Sequence, residues 1–140
     1  MCDLDGKVIV ITGVGRPRGV GRAAALRFAE RGARLVLADL GRGDNAIGDI
    51  EGPSPDLDAV AHEVTEAGGD AIAVATDVSQ EDDVKKLIAT SVSKFGRIDS
   101  VVANAAILAG KGDPLDISLD TFMRIQEVHV AGVFLCLRES

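Results

Sequence analysis

The chain has 140 residues, enough to bury one core and too few for two ordinary domains. Its 46% hydrophobic content and mean hydropathy of +0.20 exclude a disordered chain. A net charge of −7 and a pI near 4.7 exclude the basic surface needed for nucleic acid or an anionic membrane. No apolar run approaches the roughly 18 residues of a membrane span, and the N-terminus has no signal-peptide pattern, so the expected location is cytoplasmic. Cys2 and Cys136 are far apart with no C-x-x-C spacing, so neither a metal centre nor a disulfide framework is expected.

After a short lead-in, Val8 to Ile11 is a continuous β-branched run, the pattern of a strand buried on both faces of a parallel sheet. Thr12 and Gly13 follow at once, then the glycine-rich stretch to Gly21, then an Ala-rich helix to about Arg31 with Gly32 as a left-handed stop. A strand leading through glycines into a helix N-terminus suits phosphate, because the backbone can approach closely and the first amides of the helix are unpaired. The spacing G-x-G-x-x-G is not met, since its third glycine would fall on Arg18. Two registers remain: Thr12-Gly13 with a spacer to Gly19-x-Gly21, which we prefer because it directly follows the apolar strand, or a turn beginning at Gly15.

Arg34 to Asp39 reads as a second buried strand ending in an acid. Asp39 stands where a carboxylate accepts hydrogen bonds from adenosine ribose hydroxyls and repels a 2′-phosphate; a solvated acid at a strand end is the alternative. Residues 40–53 read as an insertion-like loop, and Ser54-Pro55 as a helix start. Leu57, Val60, Val64 and Ala67 mark the buried face of that helix, Gly68-Gly69 ends it, and His62 falls off the face and is expected to be exposed. Ala71 to Thr76 is the third strand, followed by Asp77-Val78. Ser79 to Asp82 resembles a capping box opening a helix whose stripe is Val84, Leu87, Ile88, Ser91, Val92 and Phe95, stopped by Gly96. Asp99 to Ala106 contains the fourth strand and its turn, and residues 109–114 a loop. Ser118 caps a last helix, apolar almost all round from Val128 to Leu137 and so expected to be buried on more than one side. Strict strand–helix alternation with right-handed crossovers predicts four parallel strands in the order 3-2-1-4 with helices on both faces.

Thr12-Gly13…Gly19-Val20-Gly21, Asp39, Asp77-Val78, Asn104-Ala105-Ala106 and Val128 to Phe134, in this order and spacing, resemble the short-chain dehydrogenase/reductase family across essentially the whole chain. The family's turn is T-G-x-x-x-G-x-G; here two extra residues lie between Gly13 and Gly19. The resemblance implies an α/β, doubly wound, Rossmann-like parallel sheet forming a single dinucleotide-binding domain over residues 1–140. It implies NAD as cofactor, with NADP less favoured because of Asp39, although Arg16 and Arg18 could meet a 2′-phosphate. Cofactor contacts fall on Gly13, Gly15, Arg18, Gly19, Val20, Gly21, Asp39, Leu40, Asp77, Val78, Asn104, Ala105 and Ala106. Asp77-Val78 stands where the family contacts adenine, with stabilisation of its own turn the alternative for Asp77. Ala106 replaces the usual glycine of N-A-G, and His129 replaces the asparagine of V-N-x-x-G-x-F; a satisfied core histidine is the bland reading for it. The last helix is expected to pair with its mate in a homo-oligomer.

The family's reaction passes a hydride between nicotinamide and an alcohol or carbonyl substrate, with a Tyr-x-x-x-Lys supplying the proton. This chain contains no tyrosine and ends at Ser140. It is therefore expected to be the cofactor-binding half of such an oxidoreductase and inactive alone. A non-catalytic nucleotide-binding remnant is the alternative, and a methyltransferase of the same layout fits Thr12-Gly13 and Asn104 less well.

Overall fold

The computed structural model describes residues 3–40, 57–108 and 113–140. Four strands, β1 (Val8–Thr12), β2 (Arg34–Asp39), β3 (Asp70–Ala75) and β4 (Ser100–Val102), form one parallel sheet in the order β3-β2-β1-β4. This is the expected topology. In register, Val10 lies between Val36 on one side and Val101 on the other, and Val36 pairs onward with Ile72. All five residues of β1 are buried, which explains why it reads as an unbroken apolar run rather than an alternation.

The period-two alternation of the strands distributes these side chains to two cores. Ile9, Ile11, Leu35 and Leu37 pack against Ala25 of α1 (Val20–Glu30) and Val60 and Val64 of α2 (Leu57–Glu66). Val10, Val36, Ala38 and Val74 meet Leu87 of α3 (Glu81–Phe95) on the opposite face. A further cluster joins Val78, Val84 and Ile107 to Val128, Leu135 and Cys136 of the C-terminal helices. Gly32, Gly68 and Gly96 all have φ near +80°, in the left-handed region, so the three expected helix stops are backbone features.

The structure corrects several local expectations. The N-cap of α3 is Gln80, one residue later than the capping box placed it, because the Ser79 hydroxyl donates to Asp77 Oδ1 at 2.6 Å instead. Asp83, the third residue of α3, accepts from the Asp77 amide at 2.9 Å. The stripe on α3 is narrower than expected: Val84, Leu87 and Ser91 are buried, but Val92 is exposed, as is Ala67 beyond α2. The loop at 41–53, the Ser54-Pro55 start and residues 109–112 lie outside the described residues.

The last helix is three segments rather than one. Ser118 caps α4 (Leu119–Gln126), its Oγ accepting from the Thr121 amide at 3.2 Å, as expected. A π-helical turn, Glu127–Ala131, then leads into α5 (Gly132–Glu139). This assembly is buried on one side only. Val128, Gly132, Leu135 and Cys136 face the core, while Phe122, Met123, Val130, Phe134 and Leu137 are exposed. Burial on several sides would need a partner surface that the described residues do not supply. Among the described residues, no helix is long and apolar enough to cross a membrane.

Candidate cofactor site

The site is built at the C-terminal ends of the parallel strands, where β1 and β4 diverge to crossovers on opposite sides. Such a switch point leaves a crevice in an open α/β sheet. Thr12, the last residue of β1, is buried, and its hydroxyl organises the crevice. Thr12 Oγ1 accepts from the amides of Asn104 and Ala105, both at 3.0 Å, and donates to Val102 O at 3.4 Å. The Asn104 side chain returns the contact, donating from Nδ2 to Thr12 O at 2.9 Å and to Gly13 O at 3.0 Å. The two strand ends are thereby stitched together across the switch point.

Gly13 turns the chain with φ +75°, a conformation that L side chains rarely adopt. Space forbids a side chain as well, since a Cβ there would lie 2.7 Å from Ala105 Cα. Gly21 is constrained from the helix side: a Cβ would overlap the Gly13 carbonyl oxygen and lie 2.7 Å from Asn104 Nδ2. The turn therefore begins at Gly13, directly after the strand, and the two additional residues are accommodated in the segment before Gly19. Gly19 is the N-cap of α1, and its carbonyl accepts the Ala23 amide at 3.2 Å. The Gly19 amide already donates to Arg16 O at 3.0 Å, so the helix-start donors left among the described residues are the first-turn amides of Val20, Gly21 and Arg22. Val14 and Gly15 are buried, whereas Arg16, Pro17, Arg18 and Val20 are exposed at the mouth.

Asp39, at the end of β2, is held against this turn. Its Oδ2 accepts from the Gly15 amide and its Oδ1 from the Leu40 amide, both at 2.8 Å. A carboxylate offers about four acceptor positions. Two are occupied among the described residues, which leaves two for further donors.

Asp77 follows β3. Its Oδ1 accepts from both the amide (3.0 Å) and the hydroxyl (2.6 Å) of Ser79, and its Oδ2 accepts from Arg124 Nη2 of α4 at 2.9 Å. Arg124 Nη1 also reaches Ser79 Oγ at 2.6 Å and Glu127 Oε2 at 3.1 Å. Partial burial opposes ionisation of Asp77, but the Ser79 and Arg124 donors outweigh it and hold the carboxyl below its ordinary range. Val78 points into the core, with Gly132 of α5 packed so closely that a Cβ there would lie 2.8 Å from Val78 Cγ2.

Gly13, Gly15, Gly19, Gly21, Asp39, Leu40, Asn104 and Ala105 thus belong to one constellation, with Asp77 at the neighbouring strand end and Ala106 exposed beyond β4. His129 does not join it. Rather than a core residue, it is exposed on the π-helical turn, with Nε2 at 3.0 Å from both the amide and the carbonyl of Ile107. The Thr12 hydroxyl, Asp83 and Arg124 carry contacts that sequence reading did not assign. A threonine closing an apolar strand before glycine is a usable signal for the first; Arg124 has no local signal, being 47 residues from Asp77.

Residues 13–140 match the family model described as Enoyl-(Acyl carrier protein) reductase. The chain belongs to the short-chain dehydrogenase/reductase family. Among similar family members, peroxisomal multifunctional enzyme type 2 of Drosophila melanogaster is 39% identical over 97% of this chain and 21% of its own length. The 2,5-dichloro-2,5-cyclohexadiene-1,4-diol dehydrogenase of Sphingobium indicum is 37% identical over 99% of this chain and 48% of its own. A short-chain type dehydrogenase/reductase from Mycobacterium marinum superposes with a TM-score of 0.83 at 35% identity, covering 99% of this chain and 50% of that one. The 3-ketoacyl-(acyl-carrier-protein) reductase of Brucella melitensis, solved in complex with NADH, gives a TM-score of 0.77 at 36% identity, covering 97% of this chain and 49% of that one. The chain spans about half the length of these relatives, and less of the multifunctional enzyme.

Proposed function

We propose that this chain is the NAD-binding half of an oxidoreductase that moves a hydride between nicotinamide and an alcohol or carbonyl substrate. The observation that carries the reading is Asp39, fixed by two backbone amides at the mouth of the glycine turn, with two acceptor positions unfilled among the described residues. Those positions suit the two hydroxyls of an adenosine ribose, and the negative charge disfavours a 2′-phosphate in the same place. The start of α1 supplies amides for the pyrophosphate, with Gly19 and Val20 at its edge. The remaining acceptor position on Asp77 suits the adenine amino group. Bound nicotinamide would supply or accept the hydride; the residues described here bind and orient the dinucleotide. The family relative solved with NADH supports the same cofactor class.

Equilibrium titration of the protein with NAD+ and NADP+ tests the proposal. NAD+ is expected to bind more tightly, and Asp39→Ala to weaken it by about tenfold or more while narrowing the preference, as loss of hydrogen bonds to a charged acceptor would. Tighter binding of NADP+ by the unmodified protein would reverse the assignment and shift weight to Arg16 and Arg18, which stand exposed beside the turn.

A further inference from the structure

We infer that Arg124 is a positioning residue for adenine recognition, acting through Asp77; the inference rests on the dinucleotide reading above. Asp77 alone is a poor recognition element, because a carboxylate at the start of a turn can rotate and offers acceptors in several directions. Here three of its roughly four acceptor positions are filled among the described residues. Ser79 takes both positions on Oδ1, and Arg124 takes one on Oδ2. A single acceptor position remains, on a carboxylate clamped from both ends.

The clamp is made from distant parts of the chain. Ser79 is local to Asp77, but Arg124 comes from α4, and the same guanidinium reaches Ser79 Oγ and Glu127. Its side chain is only 25% exposed and that of Asp77 23%, so the pair is partly withdrawn from water. A guanidinium is suited to this task because its fork addresses Asp77 and Ser79 at once; an ammonium could hold one but not both in the same geometry. The Asp77 amide is fixed in turn by Asp83, so the backbone cannot follow a rotating carboxylate. The 6-amino group of adenine is a donor that one free carboxylate position can take. A purine with a 6-oxo group presents an acceptor there and is repelled.

The experiment uses calorimetric titration with NAD+ and with nicotinamide hypoxanthine dinucleotide, which replaces the 6-amino donor by an oxo acceptor and carries a proton on N1. The protein is expected to prefer NAD+ by about tenfold. Arg124→Gln should reduce that ratio to about twofold or less, and Arg124→Lys should leave it between the two. A merely structural role would weaken both dinucleotides together and leave the ratio intact, which would overturn the inference while the Asp77–adenine contact stood. An unmodified protein that binds both dinucleotides equally would overturn the adenine contact and Arg124's part in it, but not dinucleotide binding. Failure to bind either would remove the proposed function itself. Circular dichroism and thermal unfolding of both variants establish that the comparison is made on folded protein.

Discussion

At the scale of single residues, Thr12, Gly13, Gly21 and Asn104 pack tightly against one another, and the two glycines are restricted for different reasons. Gly13 needs both a positive φ and an absent side chain, whereas Gly21 needs only the space. Gly21→Ala is expected to destabilise the fold by about 1–3 kcal/mol through overpacking against rigid backbone, and Gly13→Ala by more because strain adds to the clash. Urea unfolding of the two variants checks the order; equal midpoints to the unmodified protein would show that the turn can relax. Asp77 has a pH signature as well. It ionises more readily in the folded chain than its ordinary value of 3.8, so its charge contributes stability above that pH. The contribution fades as pH falls through the lowered folded value. Below about pH 4 the unmodified protein should therefore lose stability more steeply than Asp77→Asn, measured as unfolding free energy against pH. Parallel slopes would mean that Ser79 and Arg124 hold the neutral acid equally well.

At the scale of elements, what was legible in the sequence was whatever depends on local pattern. The strands were legible because double-sided burial demands unbroken β-branched runs, and the helix stops because Gly32, Gly68 and Gly96 adopt left-handed conformations. Asp39 and Asn104 were legible from their places at strand ends after a glycine turn. Ser79 was misread because its hydroxyl had two uses, capping and holding Asp77, and only tertiary contact with Arg124 selects the second. The π-helical turn was not legible either: Glu127 to Ala131 contains no proline or glycine, and the turn is seen only with Ile107 beside it. His129 makes that contact through one nitrogen, which accepts from the Ile107 amide or donates to its carbonyl according to tautomer. An asparagine amide has both a donor and an acceptor and could serve both groups together. His129→Ala is accordingly expected to speed hydrogen exchange of the Ile107 amide, and His129→Asn to retain or increase its protection. Unchanged exchange in the alanine variant would show that the turn holds without the side chain.

At the scale of the whole molecule, the uneven covering of the C-terminal helices dominates. Cys136, Leu135 and Val128 close one core, yet Phe122, Met123, Val130, Phe134 and Leu137 leave a broad apolar face in water, relieved by the Arg138 guanidinium stacked 5.3 Å from the Phe134 ring centre. Soluble monomers rarely leave contiguous apolar patches beyond a few hundred Å² uncovered. The face lies along nearly the full length of α4, the π-helical turn and α5, and a second copy of the same chain offers a matching stripe. A twofold pairing of these helices would bury both. Sedimentation velocity of the 140-residue chain over a range of concentrations is therefore expected to show self-association, and the double substitution Val130→Glu with Phe134→Glu to shift it strongly towards monomer. These positions are exposed, so the charges should leave the folded monomer intact, and circular dichroism checks that directly. A concentration-independent monomer, or association unaffected by the two glutamates, would place the stabilising contact elsewhere. The remaining candidate is β4, whose outer edge has no further strand beside it among the described residues.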